Sequence, residues 1–208
     1  MGIGYVSCML RSASMAAVLL FANASAPAAQ LAAQPWPASS QCEACVALQY
    51  GRLHMRLPLS SVGRIYMSGG EDGALHLLPA SDRPQQGVVF LAVDSADYLQ
   101  KYRSAGLLSD ADGGSMIRFL DALGVSRSND EAHAKLREAE GVSAARHYSR
   151  FSKDTVSVFW IGPDSTSVQW QRAFFVVEGE NAFYTLSGNI TPELMAQILS
   201  NLSVAPQP

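Results

Sequence analysis

The sequence predicts an α+β domain: a mainly antiparallel sheet with helices packed on one face, closing on a C-terminal amphipathic helix. Three observations predict it. Segments with strand character come first, helical segments follow, strands return and one helix ends the chain. That order lacks regular βαβ alternation, which disfavours a doubly wound parallel sheet. Leu53-His54-Met55-Arg56-Leu57 alternates apolar and polar residues strictly, as a half-buried strand requires. Near the end, Leu194, Met195, Ile198, Leu199 and Leu202 recur at helical spacing and make one apolar face.

The N-terminal segment, 1–28, reads as a cleavable secretory signal peptide. Arg11 supplies a positive charge ahead of a short apolar run, Met15-Ala-Ala-Val-Leu-Leu-Phe-Ala22, and small residues follow it. Cleavage after Ala24 or Ala28 fits the A-x-A pattern, whereas Pro27 disfavours a cut after Ala26. The pattern starts as well from Met9 as from Met1. The apolar run falls far short of the roughly 20 residues that span a bilayer, and no second run is longer. Residues 29–41, rich in Ala, Pro, Ser and Gln, read as a flexible linker. One domain is expected over 42–204, with 205–208 as a frayed tail.

Within the domain, Gly63–Met67 and Ala74–Leu78 follow the first strand, joined by the turn-forming run Ser68-Gly-Gly-Glu-Asp-Gly73. Gly87–Asp94 is almost continuously apolar and suits a central strand. Ser95 is placed to cap a helix that carries Tyr98, Leu99 and Tyr102. Met116–Leu123 gives a second short helix. Ser128-Asn-Asp-Glu131 forms a capping box for a third, whose sparse stripe of Ala132, Leu136 and Ala139 predicts a solvated surface element. Strands return at His147–Phe151, Thr155–Ile161, Val168–Glu178 and Ala182–Ser187. The last two are joined by a Gly/Asn-containing hairpin turn. Thr191, Pro192 and Glu193 open the final helix, as cap, first-turn proline and dipole-matched acid.

The chain holds three cysteines, and the leader removes Cys8. Cys42 and Cys45 remain as an even pair, which in an oxidising compartment predicts a disulfide. Redox activity is disfavoured, because the pair precedes a strand instead of sitting at a strand-to-helix junction. Zinc would need two further ligands that no motif supplies. The formal charge is −3, with Lys and Arg scattered, so nucleic-acid binding is disfavoured.

No nucleophile elbow, metal-binding helix motif or phosphate loop is present, and no cofactor is implied. His54 and His76 fall on strands at outward positions, and a two-histidine site on a shared face is the one enzyme-like arrangement left open. Glu71-Asp72 and the pair Glu178/Glu180 are carboxylates in hairpin turns, where acids usually only solvate the loop. Asp110 and Asp112 resemble half of a calcium loop without the rest of its ligands. The aromatics Trp160, Trp170, Phe174 and Tyr184 crowd into neighbouring strands and leave two readings open: core, or a protein-binding surface. Phe174-Phe175-Val176-Val177 is apolar on both faces, so that strand is either covered twice or exposes a patch.

No motif identifies a family. The closing hairpin and helix are similar in layout to small α+β sandwiches such as PsbP-like domains, a likeness that carries no functional residue. The leading expectation is a periplasmic or secreted, non-enzymatic envelope protein that binds another protein, for instance as an inhibitor or immunity protein against a periplasm-delivered toxin. The alternatives are an exported enzyme using His54/His76 or the Cys42/Cys45 pair, and an envelope-assembly accessory.

Overall fold

A computed structural model describes residues 29–42, 44–69, 73–79, 87–109, 114–127, 129–162 and 171–206. The leader, Trp170, Glu71, Asp72, Asp110, Asp112 and Ser128 lie outside them. The first half runs β1 (Leu31–Gln34), β2 (Cys45–Tyr50), β3 (Leu53–Pro58), β4 (Arg64–Ser68), β5 (Ala74–Leu78) and β6 (Val88–Asp94). Three helices follow: α1 (Ser95–Ser104), α2 (Met116–Leu123) and α3 (Glu131–Ala139). The rest is β7 (His147–Lys153), β8 (Val156–Gly162), β9 (Gln171–Val177), β10 (Ala182–Gly188), α4 (Pro192–Ser200) and β11 (Ser203–Val204). This is the expected α+β class with its C-terminal helix.

Eight strands form the main sheet in the order β1-β7-β8-β9-β10-β6-β5-β4, and β11-β3-β2 form a small one. Every pairing is antiparallel except β1 on β7. The alternation of β9 explains the layering. Ala173, Phe175 and Val177 enter one core with Leu53, Met55, Leu57 and the α4 residues Met195, Ile198 and Leu199. Phe174 and Val176 enter a second core with Phe119, Leu120 and Leu123 of α2 and Leu99 of α1. A strand apolar on both faces thus receives cover on both. Helices α1, α2 and α3 share one face. The terminal helix lies on the opposite face beside the small sheet, because Leu75, Phe90, Phe175 and Leu186 leave an apolar floor there.

Several expectations are corrected by long-range bonds. Residues 29–41, expected as a linker, carry β1 on the edge of the main sheet. The Trp36 indole N–H donates to the Leu199 carbonyl at 2.9 Å, and Ser40 Oγ meets Ser200 Oγ at 3.2 Å. Helix α3 is not a solvated element, since His133, Leu136 and Arg137 are buried. Arg137 donates to the carbonyls of Leu123 and Ala29, and His133 Nε2 bonds the Val125 carbonyl at 2.7 Å. These bonds allow a polar face to be buried. At the other end, the Ala205 carbonyl of the expected frayed tail accepts from Arg52 Nε and Nη2, and Ala205 N–H donates to Arg52 O. The caps of α1 and α3 are Asp94 and Asp130, so the first falls one residue before Ser95.

Cys42 and Cys45 form a disulfide, with Cα atoms 5.7 Å apart. It closes a very short loop at the start of β2. Replacing both cysteines by serine is therefore expected to lower stability by no more than about 2 kcal/mol, read as a small fall in the urea midpoint with an unchanged slope.

Candidate functional site

The helical cover on the α1–α3 face ends before the sheet does. From β7 to β10 the second core contains Tyr148, Phe159, Ile161, Phe174, Val176 and Phe183, whereas β6 adds only Val93 at its margin. Beyond lie β6, β5 and β4. Their register sets Ser187, Val89, His76 and Tyr66 in one row across four strands, with Leu91 beside Thr185 in the next row. Leu91 is 40% exposed and Tyr66 46%. The surface is partly apolar and partly aromatic.

Local chemistry fixes its side chains. The Tyr66 and His76 rings stack with centroids 4.4 Å apart and planes within 3°. Ser68, two residues along β4 on the same face, meets His76 Nε2 through its Oγ at 2.6 Å. From the other side, the buried Tyr50 hydroxyl donates to Gly73 O at 2.9 Å and accepts from Ala92 N–H at 3.0 Å. These two bonds tie Gly73, just before β5, and β6 to the small sheet, so the exposed surface stands on an anchored base. Among the described residues, strand β4 is the outer edge of the main sheet. On its opposite face Ile65 packs against the core, while Met67 is 57% exposed.

The predicted residues fall elsewhere. His54 is on β3 in the small sheet and alternates with core residues Leu53 and Met55, so it faces away from the main sheet. His76 lies on the far face of the main sheet. The two do not meet, and no group of three or more His, Cys, Asp or Glu suited to a metal occurs among the described residues. Phe174 is fully buried, Tyr184 is buried, and Trp160 is half-buried against the first core. These three are packing residues, not a surface patch.

Tyr184 is also a polar hub: its hydroxyl accepts from Arg52 N–H at 3.0 Å and donates to Glu180 at 3.1 Å. Burial pushes its phenol above the ordinary value. Gly51, at φ +57°, lies so close to this ring that a Cβ would overlap it. Glu180 also pairs with Arg52 at 3.0 Å, so this hairpin carboxylate braces the fold, while Glu178 is exposed.

Two further features could be mistaken for sites. Glu140, the C-cap of α3, is buried and accepts from the hydroxyls of Tyr98 and Tyr102 and from Arg172 at 3.0 Å. Lys101 lies over both tyrosine rings. Burial is the main cause holding the Tyr98 phenol far above its usual range, with the Glu140 charge adding to it. Both Glu140 oxygens are thus taken up by donors within the cluster, as in a structural lock. A groove of about 630 Å³ lies between the starts of α1 and α2 and the β9–β10 turn. There the Asp94 and Ser115 side chains already accept from their own helices' amides.

No protein-family model matches the chain, and no curated protein matches it. No helix among the described residues is long and apolar enough to cross a membrane.

Proposed function

We propose that the chain is an exported, non-enzymatic cell-envelope protein that binds another protein through the uncovered β4–β6 end of its main sheet. The observation that carries this is the continuous row of Val89, His76 and Tyr66 beside Leu91, which the helices leave open. Exposed apolar and aromatic groups gathered on one rigid element suit a protein interface better than isolated ones do. The Cys42–Cys45 disulfide supports an oxidising compartment. An inhibitor or immunity role against a periplasm-delivered toxin is the specific form of this reading.

The test is capture of partners from periplasmic extract by immobilised protein. Leu91→Lys is expected to reduce recovery of the bound partner about tenfold. Val125→Lys, at another exposed apolar site, between α2 and α3, is expected to leave it unchanged. Equal recovery with both variants would sink the assignment of this surface.

The 2.6 Å Ser68–His76 contact supports a second reading, a serine hydrolase in which His76 activates Ser68. Covalent labelling of Ser68 by a fluorophosphonate, abolished by His76→Ala, would establish it. Absence of labelling would retire it.

A further inference from the structure

We propose that β4 pairs with the β4 of a second copy of this chain, joining two main sheets edge to edge about a twofold axis through Tyr66. Natural edge strands are usually blunted by lysine, proline, an inward charge or a bulge. Strand β4, Arg64-Ile65-Tyr66-Met67-Ser68, carries one charge, Arg64 at its first position, but no lysine, proline, inward charge or bulge, and its pairing with β5 is uninterrupted over its full length. Among the described residues, no strand of the sheet faces its outer row of N–H and C=O groups.

The polar and apolar pattern of β4 reads the same in both directions. Antiparallel pairing centred on Tyr66 sets that ring opposite its symmetry mate. On the other face it sets Ile65 opposite Met67, and it brings Arg64 to Ser68. The one charge in the strand thus meets a hydroxyl that can accept from it, and no like charges face each other. A twofold contact of this kind is closed and self-complementary, so it stops at two copies. The stacked pair His76–Tyr66 would continue into Tyr66 and His76 of the second copy, since the outer face of the Tyr66 ring looks past the sheet edge. A ribbon of this length buries less than the ~1,200 Å² typical of stable complexes. The dimer is therefore concentration-dependent, dissociating in the micromolar range or above.

This inference goes beyond the partner-binding reading and stands without it, because the purified protein alone tests it. The chain, purified after export with its own leader, is followed by sedimentation velocity over a concentration series. Wild type is expected to move from monomer to dimer. Tyr66→Lys and Tyr66→Glu each place like charges across the axis and are expected to weaken dimerisation about tenfold or more. Both substitutions sit at an exposed position, and unchanged circular dichroism confirms that each variant is folded. An equimolar mixture of the two variants sets opposite charges across the axis and is expected to regain dimer. Wild type that stays monomeric to about 1 mM overturns the proposal. So does a dimer that neither variant weakens, or a mixture that fails to re-associate.

Discussion

Glu140→Ala is expected to lower unfolding free energy by roughly 2–4 kcal/mol, because two largely buried tyrosine hydroxyls are left without their acceptor. Tyr102 and Tyr98 lose their acceptor and Arg172 its counter-charge. Such a loss is a large share of the ~5–15 kcal/mol that holds a typical domain together. Tyr98→Phe removes one donor only and is expected to cost about 1–2 kcal/mol. Equal, small effects of both substitutions in urea titrations would show that the cluster is not a lock. The same cluster sets an alkaline limit. The unfolded chain ionises Tyr98 above about pH 10, whereas the folded chain keeps it protonated to much higher pH. The unfolded state then binds fewer protons, so stability is complete below that pH and falls as pH rises beyond it.

Phe174→Ala is the second large effect, expected at roughly 3–5 kcal/mol and a fall in Tm of about 10 °C. Phe174 is fully buried, at 6.0 Å from Phe183 and 6.4 Å from Tyr98 between ring centroids. Had its ring faced a partner instead, truncation would move stability by only about 0.5 kcal/mol. A thermal melt of the variant separates these outcomes.

Legibility followed the range of the interactions. Strand β3 could be read because its alternation is local: Leu53, Met55 and Leu57 are buried while Arg56 is exposed. Helix α4 likewise carried its own cap and stripe, and Thr191 does accept from Leu194 N–H. Strand β2 has an irregular pattern and β1 reads only Leu-Ala-Ala-Gln. Both exist through partners, β3 for one and the distant β7 for the other. The burial of α3 was hidden because its buried side chains are His133 and Arg137, whose partners are backbone carbonyls that no pattern announces. One signal for Glu140 was present: an acid at a helix C-terminus opposes the macrodipole and needs a compensating cation. The candidate surface was illegible for a different reason. Nothing in Arg64–Ser68 says that β4 ends the sheet; that follows from strand order alone.

The bonds of residues 29–41 have a consequence for the order of events in folding. Trp36 reaches across 163 residues to Leu199, and Ser40 across 160 to Ser200. Contacts of such separation form late, since the chain between them must first be gathered. Although β1 can already pair with β7, Trp36 and Ser40 have no seat until the final helix has been made. A chain lacking its last residues stays unfinished at both ends, so synthesis must be complete before the structure closes. For a protein proposed to leave the cell interior as an extended chain, that delay keeps the polypeptide threadable until it has crossed.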